Sequence, residues 1–337
     1  MVEEVARHLS YSSVERTVPR SPLVGGLSAH QRGRRQVREV LVGQGCTEAA
    51  TGLLMGPGDH ERAGLGELED GALRAVDPLV KEESILRRSL RPGLLRAVGF
   101  NLDRRQDRVH LFELGTVFTP SDGTRPVERV EAERWLPDEP EMLTVVLAGA
   151  GADATTAVRV WSTLATDLRL EGATLTASDE LAGLHPTRTA VILGSDGEPL
   201  GALGEIDPDV LAGLGIGGRV GVIEVDLGRL LAEPRHSDEA RPVSRFPSSD
   251  VDLAFSVPED VPAAAVEATL LGAAGDLLER IALFDVYRGA GMPEGSRSLA
   301  FRLRFTATDR TLTDPEVAGL RQACIDAVTS VHAATLR

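Results

Sequence analysis

Lysine is all but missing from this sequence: Lys81 is the single lysine among 36 basic residues, so every other fixed side-chain cation is an arginine. That composition favours two-pronged contacts to carboxylate or phosphate. Positive charge as a whole is also scarce. Aspartate and glutamate number 51 and the formal net charge is −15, which argues against a protein that holds nucleic acid by bulk attraction, since phosphate neutralisation needs clustered cations. Any RNA contact has to be local. Aromatic residues make up only 4%, against ring stacking as the main way of holding bases. The two cysteines, Cys46 and Cys324, have no metal-ligand spacing and are expected to be reduced thiols within helices. No apolar run approaches the roughly 18 residues of a membrane span, and Met1 to Ser10 carries acids and lacks the apolar core of a signal peptide. A cytoplasmic chain is expected.

What is present fits two globular domains. A length of 337 residues allows about two at roughly 150 each, and 42% hydrophobic with 26% charged residues is ordinary for such domains. After residue 240 there are 10 basic and 13 acidic residues, a net of −3, so the last domain repels RNA less than the 240 residues before it, with their net of −12. Met1 to Ala6 reads as the end of a helix with no cap before it, as if the start were an edge. Pro19 to Gly26 is a linker. Ser28 opens a helix through Val42 whose apolar positions Val37, Val40 and Leu41 share one face, with Arg32, Arg34, Arg35 and Arg38 mostly elsewhere. Gly52 to Gly71 is irregular and acidic.

Leu86 to Leu102 is expected to form a strand end, a turn at Pro92-Gly93 and a helix, followed by a strand from Val109 to Phe118. Ser121 to Pro140 is a polar surface excursion. Met142 to Leu147 reads as a strand and Ala154 to Leu168 as a helix with Trp161 and Leu164 inward. Strands follow at Leu175, Ala190 to Leu193, Leu200 to Glu205 and Val220 to Val225, with the hairpin signal Ser195-Asp196-Gly197. Few helices among many strands imply a mostly antiparallel sheet. Gly213-Leu214-Gly215-Ile216-Gly217-Gly218-Arg219 looks like a phosphate cradle, but it follows a short helix and enters a strand, the wrong order for a helix N-terminus to meet phosphate. His185 beside Pro186 reads as a turn residue bonded to backbone.

A second linker, Leu231 to Ser249, leads to strand (Asp250 to Val257), helix (Val261 to Ala274), strand (Leu278 to Tyr287), strand (Ser298 to Phe305) and helix (Asp314 to Ser330), with room for a last strand close to the terminus. That is the split βαβ order, whose sheet carries helices on one face only. Leu299, Phe301, Leu303 and Phe305 alternate with Ala300, Arg302 and Arg304, one apolar and one wet face. Asp252 and Ser256 project from the same face of the neighbouring strand. Asp252 could neutralise an arginine across the strands; equally, Arg297, Arg302, Arg304 and Arg310, with Arg288 at the loop, could line a shallow contact for an RNA stem-loop. Tyr287 is the one exposed stacking aromatic expected there. Replacing Arg302 and Arg304 by alanine is expected to weaken RNA binding and lessen its salt dependence.

The words Leu283-Phe284-Asp285-Val286-Tyr287, Gly295-Ser296-Arg297-Ser298-Leu299-Ala300-Phe301 and Asp309-Arg310-Thr311-Leu312-Thr313-Asp314 resemble the ferredoxin-fold anticodon-binding domain that ends the bacterial phenylalanyl-tRNA synthetase beta subunit. The resemblance continues through Phe246-Pro247, Leu184-His185-Pro186, Gly204-Glu205, Phe112-Glu113-Leu114-Gly115 and Leu86-Arg87-Arg88-Ser89-Leu90-Arg91-Pro92-Gly93, and so covers essentially the whole chain. It implies an α+β chain: residues 1–20 the remnant of a metal-holding helical domain, 21–232 a noncatalytic class II synthetase-like antiparallel sheet domain, 233–242 a linker and 243–337 a ferredoxin-like split βαβ domain.

The resemblance also implies function. Glu3 and Glu4 match two glutamates that, with two preceding aspartates, hold magnesium in the family; two carboxylates alone are few for a hard cation, and a solvated helix face is the better reading. The Ser28 helix would help build the interface with an alpha subunit, which is compatible with a charged surface helix. Arg87, Arg88 and Glu113 stand where class II synthetases hold ATP and amino acid, but in this noncatalytic domain they read as internal salt bridges. Whole, such a subunit forms a heterotetramer of two alpha and two beta chains, which attaches phenylalanine to its tRNA with ATP and magnesium. This chain is expected to need no cofactor and catalyse nothing alone, supporting the ligase by assembly and by contact with the anticodon region. A stand-alone RNA-binding fragment or a degenerate interaction scaffold is the alternative.

Overall fold

A computed structural model describes residues 2–15, 17–18, 25–120, 137–236 and 244–337. Most of the Pro19 to Gly26 and Ser121 to Pro140 segments, and the middle of the second linker, lie outside the described residues. The chain divides into two compact units, Met1–Ser237 and Asp238–Arg337.

In the first unit, α1 (Val2–Leu9) has no buried residue. α2 (Ala29–Gly43) begins at Ser28 with a reciprocal cap: the Ser28 hydroxyl accepts from the Gln31 amide at 3.1 Å, and the Gln31 side chain accepts from the Ser28 amide at 2.8 Å. Then come β1 (Thr47–Glu48), β2 (Leu54–Met55), α3 (Asp59–Arg62), β3 (Ile85–Leu86), α4 (Arg91–Leu102), β4 (Arg108–Thr116), β5 (Glu141–Gly149), α5 (Ala154–Asp167) and β6 (Thr174–Ala177). β7 (Leu184–Leu193), β8 (Pro199–Ile206), α6 (Pro208–Gly213), β9 (Val220–Asp226) and α7 (Leu227–Ala232) complete it.

Seven strands form one sheet in the order β1-β4-β5-β9-β8-β7-β6, antiparallel except for the parallel β1–β4 pair. Its two faces read directly off the period of two. Phe112, Leu143, Val145, Leu147, Ile223 and Val225 pack in one core with Val37 and Leu41 of α2 and Trp161 and Leu164 of α5. The intervening Val109, Val146, Ala148, Val220 and Val222 pack in the other core with Leu94, Leu95 and Val98 of α4 and Leu211 of α6. Each fully buried aliphatic side chain contributes about 1.5–3 kcal/mol relative to exposure. A strand buried on both faces needs no polar side, hence the almost continuous apolar run from Met142 to Ala148.

Three local expectations are corrected. Pro92 and Gly93 belong to the first turn of α4 and do not precede it: proline lacks only an amide that would have no helical partner there, and at Gly93 a Cβ would meet the Thr51 hydroxyl at 2.6 Å. Leu184-His185-Pro186 lies inside β7, at a register shift between Leu184 and Thr189. Cys46 sits in the connection from α2 to β1, not in a helix; it is buried and free like Cys324, and burial pushes its thiol up to about 11.

The second unit runs β10 (Ser249–Pro258), α8 (Ala263–Ala274), β11 (Leu278–Tyr287), β12 (Ser296–Phe305), α9 (Asp314–His332) and β13 (Thr335–Leu336). Its sheet order is β11-β12-β10-β13, all antiparallel. Leu253, Phe255 and Val257 of β10 and Leu299, Phe301, Leu303 and Phe305 of β12 pack with Val266 and Leu270 of α8 and Cys324 and Val328 of α9. The alternate residues of both strands form the opposite face.

Candidate nucleic-acid interface

Antiparallel register decides which side chains share the open face, because directly opposed residues point the same way. Across β10 and β12 the opposed pairs are Asp250 with Arg304 and Asp252 with Arg302. Each arginine grips its aspartate with two bonds: Arg302 Nε and Nη2 donate to Asp252 at 2.7 and 2.6 Å, and Arg304 Nε and Nη2 to Asp250 at 2.7 and 2.9 Å. These hydrogen bonds hold both carboxyls below the usual aspartate range and raise both guanidiniums. All four side chains remain about half exposed. The Asp252 pairing is the one expected from the sequence; the Asp250 pairing was not foreseen.

β11 adds aromatic surface. Phe284 sits where the register slips between Leu283 and Asp285, 53% exposed, with the Arg302 guanidinium 5.2 Å from its ring centroid. Tyr287 is thus not the only exposed aromatic of this strand. It opposes Ser298, donates its hydroxyl to the Ala290 carbonyl at 3.0 Å, and has the Arg337 guanidinium 5.4 Å from its ring. Ser298, Ser256 and Thr335 continue that row across the sheet, and Arg337 reaches over it. Arg280 opposes Arg304 on β11 and has no carboxylate partner among the described residues.

The other expected arginines lie elsewhere. Arg297 shares the parity of Leu299 and Phe301, the helix side, and donates to the Val261 carbonyl at 2.8 Å, so it does not join Arg302. Arg310 is held by Asp309 and Glu316 at the start of α9. Glu316 closes a capping box there, accepting from the Thr313 amide at 2.8 Å; that bond first, with Arg310 and the Thr313 hydroxyl, lowers its carboxyl to about 2. Arg288 pairs with Glu259 at 2.6 Å, at the end of β11.

In the first unit, Glu4 pairs with Arg7 at 2.6 Å on the exposed α1, and among the described residues no three His, Cys, Asp or Glu gather as metal ligands. Glu3 and Glu4 by themselves do not fit a magnesium site. Arg87 and Glu113, each 3% exposed, face each other: Arg87 Nη1 donates to Glu113 Oε1 at 2.6 Å. Glu113 Oε2 accepts from the Thr51 hydroxyl at 2.7 Å and amide at 3.2 Å, and Arg87 Nε donates to the Thr116 carbonyl at 2.9 Å. Gly115 is required beside them, since a Cβ would lie 2.5 Å from Arg87 Nη2. With both carboxylate oxygens engaged internally, the pair does not fit an ATP subsite.

Arg88 serves a different clip. Its amide donates to Nε2 of the fully buried His60 at 3.1 Å, and its guanidinium to the Leu68 and Asp70 carbonyls, while His60 Nδ1 lies 3.1 Å from Glu69. An imidazole that accepts at Nε2 carries its proton on Nδ1. Arg91 binds Glu224 and the Ala182 carbonyl. His185 accepts from the Thr187 amide at 3.2 Å. The glycine-rich run ends with Arg219 on Glu205 at 3.2 Å, where Arg188 also binds.

Comparison with known proteins gives the same two parts. Residues 14–227 match the family described as "Phenylalanyl tRNA synthetase beta chain CLM domain", and residues 244–337 match "Ferredoxin-fold anticodon binding domain". Curated proteins named "Phenylalanine--tRNA ligase beta subunit" align over 100% of the chain: that of Geobacter sulfurreducens at 35% identity, of Moorella thermoacetica at 36% and of Streptomyces avermitilis at 34%. The chain spans 42% of the first two and 44% of the third. With both parts matched in this order, the chain belongs to the phenylalanyl-tRNA synthetase beta chain family.

Proposed function

We propose that this chain acts as part of a phenylalanine–tRNA ligase beta subunit. It assembles with an alpha subunit and places its second sheet against the anticodon region of the tRNA for phenylalanine. The observation that carries this reading is the open face of β10, β12 and β11, where Arg302, Arg304, Phe284 and Tyr287 lie together in the stretch that matches an anticodon-binding domain. Flat groups on one bare sheet suit unstacked bases of a loop, which proteins hold on aromatic rings and guanidinium planes.

The first unit then serves as a class II synthetase-like scaffold. Its Arg87–Glu113 pair joins β3, β4 and the Thr51 segment from within, and α2 offers the assembly surface with Arg35 and Arg38 at its outer side. ATP and magnesium act in the assembled cytoplasmic ligase, two alpha with two beta chains, at the alpha subunit. The residues of this chain hold shape and RNA.

Co-expression with the alpha subunit of the same organism, followed by size-exclusion chromatography with light scattering, tests assembly. Co-elution at the mass of a defined complex is expected. Separate elution favours a detached RNA-binding fragment or scaffold. Fluorescence anisotropy with the phenylalanine tRNA tests the interface: it is expected to bind more tightly than an unrelated tRNA, and Arg302→Ala with Arg304→Ala to weaken it about tenfold, the effect of losing one stacked base. Equal affinity for both tRNAs refutes the anticodon reading.

A further inference from the structure

The two central arginines of the face are each closed on an aspartate by two hydrogen bonds. A guanidinium whose charge is matched by a touching carboxylate exerts little field on a phosphate and displaces few of the counterions condensed on the RNA. Its flat face is not blocked by an in-plane partner, because the carboxylate meets it edge-on. Arg302 illustrates this: while gripped by Asp252 it still lies 5.2 Å from the Phe284 ring centroid.

We propose that Asp250 and Asp252 are specificity-determining residues of this RNA-binding face: by neutralising Arg304 and Arg302 they suppress capture of RNA backbones of any sequence and leave the guanidinium planes to bases. The inference rests on the tRNA-binding reading above and deepens it. It also changes one expectation drawn from the sequence: removing Arg302 and Arg304 lowers tRNA affinity but leaves its salt dependence nearly unchanged, since neither arginine carries a counterion-releasing charge in the free protein. Arg280, without a carboxylate partner among the described residues, supplies the salt-dependent part.

The sequence pattern supports a built ladder over a chance contact. Both aspartates occupy the register positions directly opposite the two arginines, two residues apart on each strand. A chain of net charge −15 does not need them for solubility.

The test uses the full chain and a labelled oligouridylate, which has backbone and bases but no anticodon loop. Wild-type protein, Asp250→Asn with Asp252→Asn, and the same pair combined with Arg302→Ala and Arg304→Ala are titrated by anisotropy from about 50 to 200 mM salt, the range over which phosphate contacts declare themselves. Asparagine keeps size and a hydrogen-bond acceptor. The double asparagine variant is expected to bind oligouridylate several-fold more tightly than wild type, with the slope of log affinity against log salt steeper by about 1.4, at roughly 0.7 per released phosphate contact on a single strand. Removing the arginines in that background abolishes the gain.

An unchanged slope and affinity in the asparagine variant overturns the proposal. So does a gain that survives loss of the arginines, because it then reflects overall charge and not the released guanidiniums. The reading of the interface fails separately, by equal binding of phenylalanine and unrelated tRNAs to the wild-type chain.

Discussion

Glu113→Leu is expected to be among the most damaging single changes in the first unit. It deletes the one carboxylate that faces Arg87 among the described residues, while Arg87, itself 3% exposed, stays buried beside β4. An uncompensated buried charge of this kind costs about 3–5 kcal/mol, mostly the penalty of the stranded partner and not the worth of the pair. The double change Arg87→Met with Glu113→Leu removes both charges. It frees the Thr116 carbonyl and the Thr51 hydroxyl, amide and carbonyl, each lost hydrogen bond costing about 1 kcal/mol, and regains the burial of two apolar side chains at about 1.5–3 kcal/mol each, so it is expected to cost about 2 kcal/mol or less. The two tryptophans, Trp135 and Trp161, both fall within Met1–Ser237. Tryptophan fluorescence in a urea titration therefore follows the first unit alone. With a slope of roughly 2–3 kcal/mol per molar urea, the single change shifts the midpoint down by about 1–2 M and the double by less than 1 M. A double variant no more stable than Glu113→Leu refutes the argument: the loss would then be one of packing, with no coupling between the partners.

His60→Ala strands the Arg88 amide and Glu69 and opens a cavity in a fully buried site. A loss of about 2–4 kcal/mol in the same assay is expected, with faster proteolysis between residues 56 and 70. In the second unit, the Glu316 carboxyl titrates at about 2, against an ordinary 4.5. A carboxyl lowered on folding contributes stability that is fully present above its unfolded value and is lost as pH falls through the folded one. The difference in thermal midpoint between wild type and Glu316→Gln should therefore be largest above pH 4.5 and close toward pH 2; a gap independent of pH refutes it.

Periodicity carried much of the fold. The strict alternation from Leu299 to Phe305 placed the apolar side of β12 on its helices, and Ser28 with Gln31 marked the start of α2 through chemistry confined to four residues. Readings failed where the outcome depends on partners distant in sequence. Asp250 became legible only through the β10–β12 register, which sets it opposite a residue 54 positions away. Phe284 was missed because a register shift after Leu283 removes it from the period of two. Arg297 was grouped with Arg302 by its place in a motif, although its odd number already put it with Leu299; parity was the better guide. The Pro92-Gly93 pair looks like a turn in isolation, and only Thr51, lying against Gly93 from another segment, shows why glycine is kept inside the helix.

The seven-stranded sheet ends on two very short strands, β1 and β6, of 2 and 4 residues. Rims so short cannot template a strand from another molecule. On the second sheet the long rim is β11, ten residues with exposed Phe284 and Val286, and there two register shifts break the row of amides while Glu279, Arg280 and Asp285 stud it with charge. These are the devices by which a bare sheet stays soluble. A sheet with one bare face is thereby kept from zipping edge to edge onto its own kind.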